Sequence, residues 1–293
     1  MNFLIPFLGA LLGSGAIIVD KILLGGKGIT YKNYSIISFL AALFVAGIAF
    51  IFVGKPIVCE LFYGYAGFLL IFTTIAILTS NLLYFHALKH DLLTEMETVG
   101  LLSYIPVIAT SYIFYTDERS LPVLISAIIA SLAVIWSHWK KGHPFVRKRT
   151  YPYLLWLLII APIEAIAFKE IFLMWDPISL QFVREIIIVP ILGYMYADTL
   201  RRVPVRSFFA IFFTGAVLTL SSILFFVSYS KLGIIRTTLI FNLQPLLAYI
   251  GALLFLKEKF NRKKFIAFLI VLISIVVAQN YEQIELFIKQ SLQ

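Results

Sequence analysis

Long runs without charged residues are the feature that most constrains this chain. No Asp, Glu, Lys or Arg lies between Lys32 and Lys55, Glu60 and Lys89, Arg119 and Lys140, Arg206 and Lys231, Arg236 and Lys257, or Lys264 and Glu282. Each gap is 17 to 28 residues long. A helix of about 20 mostly apolar residues can cross the hydrocarbon of a bilayer, and helices satisfy their own backbone polar groups there. The runs therefore predict an all-α membrane protein with many crossings.

Composition agrees with an integral, multi-pass membrane protein. Hydrophobic residues make up 61% of the chain and charged residues 13%, against about 25% charged residues in soluble domains. We interpret the net charge of +9 as loop Lys and Arg facing anionic lipid. Nucleic-acid binding is not expected, because no basic face with interleaved aromatics exists outside the apolar runs. The single Cys59 excludes an intramolecular disulfide and a cysteine-cluster metal site. We expect location in a prokaryotic inner or plasma membrane.

The chain is predicted to contain ten transmembrane helices in two halves. The predicted helices are 3–24, 34–54, 63–88, 93–115, 121–139, 152–172, 178–198, 207–229, 235–256 and 264–281. The corresponding division is a first five-helix repeat at 1–139, a basic connecting loop at 140–151, a second repeat at 152–281 and a tail at 282–293.

Matching charges and prolines indicate that the two halves are repeats. Alignment pairs Lys21 with Lys169. It also pairs Lys89 with Lys231, and Pro106 with Pro245. Five helices is an odd number, so the second half would enter the membrane from the opposite side, which predicts two inverted five-helix repeats. The alternative is chance similarity among apolar strings.

The loop charges predict an orientation. The loops after the odd-numbered helices, with Lys21, hold 17 Lys and Arg, and the other loops and the tail hold five. Lys and Arg resist translocation, so the positive-inside rule places the 140–149 loop in the cytoplasm and both termini outside.

Several of these features together resemble a known family. The segment YFHALK at 84–89, the helix prolines Pro106 and Pro245, and the acidic turns with Glu118 and Glu258 resemble the EamA-like family of the drug/metabolite transporter superfamily. The resemblance implies a secondary active or exchange transporter for a small metabolite or drug-like solute, working by alternating access. It implies a site at the repeat interface near the bilayer midplane. It also implies cytoplasmic termini, opposite to the charge count, and both orientations stay open here.

Charged residues at bilayer depth are the first candidates for that site. Predicted helix 6 contains Glu164 and Lys169, and predicted helix 7 contains Arg184. An ionised group at this depth costs at least about 2.5–3.5 kcal/mol on insertion scales, so such groups face a partner or a wet cavity. Glu164 and Arg184 are predicted to form the centre of a substrate or ion site. A structural ion pair, or snorkelling of Lys169 to the interface, is the alternative.

Polar positions on other helices are the next candidates. Asn242 and Tyr249 follow helical spacing around Pro245, and Asn81 and Tyr84 lie on predicted helix 3. Prolines free carbonyl groups and can open a helix toward a cavity. The alternative is ordinary hydrogen bonding between helices, worth about 0.6 kcal/mol on average.

No catalytic or nucleotide-binding signature occurs in the sequence, so an enzyme is not expected. HExxH, GxSxG and GxxxxGK[ST] motifs are absent, and no cofactor or bound metal is expected. Uphill transport would use an ion gradient, with protons as the expected ion, although exchange or facilitated diffusion is equally allowed. The expected partners are a small-molecule substrate and membrane lipids, with the chain as a monomer or homodimer. The alternatives are a flippase for lipids or lipid-linked sugars, or an intramembrane protein without transport activity.

Overall fold

The computed structural model describes residues 3–90, 93–138, 150–255 and 260–291, and within these residues it contains only helices and connecting segments. The α-helices are α1 (Leu4–Leu24), α2 (Tyr31–Val53), α3 (Gly64–His90), α4 (Leu93–Phe114), α5 (Leu121–His138), α6 (Tyr151–Ile171), α7 (Pro177–Leu200), α8 (Val205–Leu232), α9 (Ile234–Phe241), α10 (Gln244–Phe255) and α11 (Arg262–Ser291). Short 3₁₀ turns lie at Cys59–Phe62 and Thr116–Glu118. The predicted all-α class is confirmed.

Local sequence sets the starts of the helices that carry the site. Thr30 begins α2 with a capping box, in which its hydroxyl accepts from the Asn33 N–H at 3.3 Å and the Asn33 side chain accepts from the Thr30 N–H at 2.8 Å. Asp176 caps α7 by accepting from the N–H groups of Ile178 and Ser179 at 3.2 and 3.1 Å. Side-chain oxygens at these positions satisfy N–H groups that have no partner inside the helix.

The predicted helices match the observed ones until the ninth. The first eight agree to within three residues at each end. The ninth, predicted as one helix over 235–256, is divided into α9 and α10 by Asn242 and Leu243. Pro245 explains the break, because it has no N–H and its ring excludes the carbonyl of the residue four positions earlier. Pro106 lies inside an unbroken α4, so the two aligned prolines have different local effects.

The last helix is also longer than predicted. Helix α11 runs past the predicted end at 281 to Ser291, with a kink at Asn280, whose φ and ψ are −111° and 15°. The predicted tail therefore begins within this kinked helix.

Five described helices have the length and apolar composition needed to cross a membrane. They are Leu4–Leu24, Tyr31–Val53, Gly64–His90, Pro177–Leu200 and Val205–Leu232. Shorter apolar segments are Leu102–Phe114, Leu121–Ser137 and Ile234–Ala248. By this measure a multi-pass protein is supported, and the number of ten crossings stays a prediction.

Helix packing pairs the two halves. Helix α2 packs against α7, and α5 packs against α11, so each contacts its predicted counterpart. The contact of α1 with α8 is matched by the contact of α6 with α3. An in-plane pseudo-two-fold axis would produce this pattern, and the inverted repeat itself stays a prediction.

Contacts between loops and helix ends divide the bundle into two ends. At one end, Lys21 Nζ, in the last turn of α1, donates to the carbonyl of Leu88 near the end of α3 at 2.6 Å. The Ser179 hydroxyl at the start of α7 both accepts from the N–H and donates to the carbonyl of Lys55, after α2, at 2.9 Å each. The end of α1 therefore lies beside the end of α3, and the start of α7 lies beside the segment that follows α2.

The capping box of α2 can be tested by removing one hydroxyl. We expect Thr30→Ala to lower the free energy of unfolding by about 1 kcal/mol, which thermal unfolding of the detergent-purified protein measures. Ser230→Ala is the control, because the exposed Ser230 hydroxyl donates to the Val227 carbonyl of its own helix. Equal melting temperatures of Thr30→Ala and wild type would contradict a stabilising cap.

Orientation can be tested with the native cysteine. Cys59 is exposed and lies between α2 and α3, and the charge count predicts this loop to be external. We expect a membrane-impermeant maleimide to label Cys59 in intact cells or spheroplasts without permeabilisation. In a Cys59→Ser background, a cysteine replacing exposed Lys27 should be labelled only after permeabilisation. The reverse pattern would establish cytoplasmic termini.

Candidate functional site

A buried arginine occupies the centre of the candidate site. Arg184 on α7 is 1% exposed, and its guanidinium carbon lies 5.1 and 4.9 Å from the ring centroids of Phe168 on α6 and Phe226 on α8. Its Nη2 donates to Gln181 Oε1 one turn earlier. Its Nε and Nη1 have no hydrogen-bond partner. The two rings stabilise the cation through their faces, but most of its hydrogen-bonding capacity is unused.

Two carboxylates share this guanidinium. Glu164 on α6 and Glu185 on α7 both interact electrostatically with Arg184. Among the described side chains, Arg184 forms no direct ion pair with either of them. Glu164 and Arg184 thus interact electrostatically without forming a closed pair of two opposite charges, and their joint site stays a prediction.

Glu164 faces the interior of the bundle. Its side chain is partly accessible, and it interacts electrostatically with Tyr153 and Tyr229 in addition to Arg184. Tyr104 on α4 interacts electrostatically with both of these tyrosines. Tyr153, Arg184 and Tyr229 belong to α6, α7 and α8, so Glu164 interacts with residues of three helices. A carboxylate near tyrosines can bind a small polar or amphipathic group.

Glu185 lines a cavity next to Arg184, and Phe226 borders both. Its Oε1 accepts a hydrogen bond from Gln181 Nε2 at 2.6 Å, whereas its Oε2 has no partner. The side chain lines a cavity of about 100 Å³ between α2, α3, α7 and α8. Asn81 also lines this cavity, and its Nδ2 donates to the Ile77 carbonyl at 3.0 Å. Of the predicted residues, Asn81 is thus placed beside Glu185 in this cavity.

The remaining predicted polar residues are distributed over other parts of the bundle. The Tyr84 ring contacts the Tyr153 ring, with centroids 5.9 Å apart, which connects it to the surroundings of Glu164. Asn242 is fully buried at the break between α9 and α10, and its Nδ2 donates to Ser131 Oγ on α5 at 3.2 Å. Its contact therefore joins two helices, as in the alternative interpretation. The side chain of Tyr249 lies outside the described residues.

Lys169 lies at one end of the bundle instead of at its centre. Its Nζ contacts Asp117 Oδ2 at 2.6 Å and Glu118 Oε1 at 3.0 Å. It also lies 4.2 Å from the centroid of the Tyr115 ring. These partners belong to the turn between α4 and α5. The partners of Lys169 are thus acidic residues of a loop, and its role in a substrate or ion site stays a prediction.

Glu118 connects this turn to a third element. Its carboxylate is buried and accepts from the backbone N–H groups of Ile234 and Ile235, at 2.6 and 3.1 Å. These are the first residues of α9, so the negative charge lies at the positive end of a helix dipole. Gly233 precedes them with φ of +85°, and a Cβ there would collide with the Glu118 carboxylate. The contacts of Glu118 and Lys169 thus join the end of α6, the turn after α4 and the start of α9.

The Tyr115 hydroxyl adds a second contact at this end. It donates to Glu170 Oε1 at 2.9 Å. Burial, together with the hydrogen bond and charge of Glu170, raises the pKa of Tyr115, so its hydroxyl stays a donor. A cavity of about 340 Å³ opens next to this cluster and is lined by residues including Lys169, Lys231 and Arg236.

Sequence reasoning passed over Glu185 and Gln181. On a helix Glu185 points about 100° away from Arg184, so the spacing alone does not indicate that both belong to one site. The structure buries both because α2, α3 and α8 all pack against α7. Gln181 lies three residues before Arg184 and four before Glu185. Helix side chains at this spacing are neighbours, so the sequence alone could have indicated Gln181 as their partner. Asp20 was also passed over: it is fully buried on α1, accepts from the Tyr34 hydroxyl, and has an unpartnered Oδ2.

Comparison with known proteins gives a family match for the second half of the chain. Residues 149–279 match the model of the EamA-like transporter family, which confirms the resemblance seen in the sequence. A solved structure described as "Crystal structure of protein" superposes with a TM-score of 0.72 at 13% identity, covering 92% of this chain and 98% of that chain. At this identity the match shows a shared fold. No curated protein matches the chain significantly.

The two acidic partners of Lys169 provide a matched test. Asp117 has a side chain that is 69% exposed and Glu118 one that is 4% exposed. We expect Glu118→Gln to lower the free energy of unfolding by about 1.5–3 kcal/mol, because two N–H groups and Lys169 lose a charged acceptor. Asp117→Asn should cost about 0–1 kcal/mol, as exposed ion pairs do. Thermal unfolding in detergent measures both, and equal effects would contradict the capping role of Glu118.

Proposed function

We propose that this chain is a secondary transporter for a small polar or amphipathic solute, with its site beside Arg184, because residues 149–279 match the model of the EamA-like transporter family. One observation carries the proposal. A guanidinium that is 1% exposed within the bundle retains two hydrogen-bond donors without partners, although two carboxylates lie nearby. Burying such a charge is costly, and a purely structural pair would use these donors.

The proposed solute site lies on the Glu164 side of Arg184. There the partly accessible carboxylate interacts electrostatically with Tyr153 and Tyr229, and Arg184 supplies the opposite charge. A solute with one polar group and an apolar body would fit, because aromatic walls with a few fixed polar groups are typical of small-molecule sites. This placement follows the expectation that transporter sites form where the two repeats meet.

Alternating access requires that one end opens while the other closes. The Lys169 contacts with Asp117 and Glu118 hold α6, the turn after α4 and the start of α9 together. We propose that these contacts close this end and separate when it opens. The ion pair between Lys169 and Asp117 suits this role, because Asp117 is exposed and exposed ion pairs are individually weak.

Reconstitution tests the proposal. Purified protein in proteoliposomes should take up a soluble solute from a panel of amino acids, nucleosides, sugars and cationic drugs. Scrambling of labelled lipid without solute uptake would instead favour a flippase, and neither activity would favour an intramembrane protein without transport.

The roles of Glu164 and Arg184 are tested by substitution with glutamine. Loss of a hydrogen bond to a charged group costs about 1.5–3 kcal/mol, so we expect Glu164→Gln and Arg184→Gln each to lower uptake about ten- to hundredfold. Both single variants should fold, and the double variant should remain inactive. Glu60→Gln is the control, because its carboxylate is exposed in the segment between α2 and α3.

Two outcomes would contradict this assignment. A structural pair would lower the folded yield of each single variant, and the double variant would restore it. Normal uptake by Glu164→Gln would remove Glu164 from the transport site.

A further inference from the structure

We propose that Glu185 is a proton-binding site, separate from the solute site, and that its protonation drives solute transport. The coupling rests on the proposed transporter function, whereas proton binding at Glu185 does not. The argument uses the cavity, the hydrogen bonds of the carboxylate and the count of charges around Arg184.

The two oxygens of Glu185 have different surroundings. Oε1 is fixed by the Gln181 amide at 2.6 Å, and Oε2 is buried without a partner. The residue is 2% exposed and lines a cavity of about 100 Å³. About 10–15 Å³ of such space suffices for one water molecule, so several can fit. The Glu185 side chain therefore adjoins a space that water can occupy, and a proton can reach the carboxyl group from there.

The charge balance around Arg184 calls for one proton. One guanidinium interacts with two carboxylates, Glu164 and Glu185, so full ionisation leaves one net negative charge inside the bundle. A buried group with an uncompensated charge is neutralised in preference to remaining ionised. Glu164 is partly accessible, whereas Glu185 is closed off. Burial therefore assigns the proton to Glu185.

The elements packed around Glu185 add no competing titratable group. The polar residues that line its cavity are Ser38 from α2, Asn81 from α3, Gln181 from α7, and Thr219 and Ser222 from α8. Among the described lining residues, Glu185 itself is the titratable one. Arg184 on the same helix is its charged neighbour.

Two contacts favour a proton over a metal cation. The Arg184 guanidinium repels a second cation at short range. The Gly215 carbonyl also already accepts a hydrogen bond, from the Thr219 hydroxyl at 2.7 Å. Gln181 accepts a hydrogen bond from Arg184 and donates one to Glu185. Its amide therefore connects the proposed solute site with the proposed proton site.

Infrared spectroscopy of the reconstituted wild-type protein tests proton binding without a solute. Titration with pH should show the C=O stretching band of a buried protonated carboxyl group, shifted by deuterium exchange. We expect Glu185→Gln to remove this band. Glu164→Gln should retain it with a changed midpoint, because Arg184 then interacts with one carboxylate. Glu60→Gln, at an exposed loop carboxyl, should leave both band and midpoint unchanged.

A second variant and a sodium comparison keep the test decisive. If Glu185→Gln does not purify as a folded protein, Glu185→Asp should keep the band and move its midpoint. An unchanged titration in Glu185→Asp would overturn the assignment. Replacing choline chloride by sodium chloride should not change the titration, and displacement of the band by sodium would overturn the proton in favour of a sodium ion.

Coupling is tested with a solute that the wild type transports. We expect Glu185→Gln to retain solute exchange at equal pH and to lose accumulation driven by a pH gradient. Equal accumulation by variant and wild type would overturn the coupling role. If the wild type transports no solute, the proposed function fails, and the infrared titration still decides whether Glu185 binds a proton.

Discussion

The sharing of one buried guanidinium by two carboxylates is the interaction on which the centre of this bundle depends. Arg184 is held by aromatic rings from α6 and α8 and by an amide of its own helix. Removing a charge from water in this environment is costly unless other groups compensate it. The packing of α6, α7 and α8 must therefore keep Phe168, Phe226 and the two carboxylates in place around the cation. These charged groups make the interior of the bundle polar at this point.

Arg184 lies between two differently built surroundings. In one, Glu164 interacts electrostatically with Arg184, Tyr153 and Tyr229. In the other, a small cavity is lined by hydroxyls, amides and Glu185. Residues 184 and 185 are adjacent and point in different directions on a helix, so one element can present opposite charges to two compartments. Gln181 connects the compartments through its two amide atoms.

Sequence patterns predicted the helices well and the partners of polar residues poorly. Charge spacing and apolar runs placed the first eight helices to within a few residues. The same patterns identified Glu164 and Arg184 as unusual, and the structure places them within electrostatic range. They did not predict that Lys169 contacts Asp117 and Glu118, because the turn that supplies these partners lies more than 50 residues earlier in the chain. Depth in the bilayer can be inferred from hydropathy, but the identity of a partner depends on how helices pack.

The break between α9 and α10 has a mechanical consequence. A continuous helix transmits displacement along its length as a rod, whereas Asn242 and Leu243 interrupt the regular ladder of hydrogen bonds. The eight residues of α9 are attached at their first turn to Glu118 and at their last to this joint. We expect a movement of the Glu118 turn to rotate α9 as a short lever, while α10 keeps its contacts with α11.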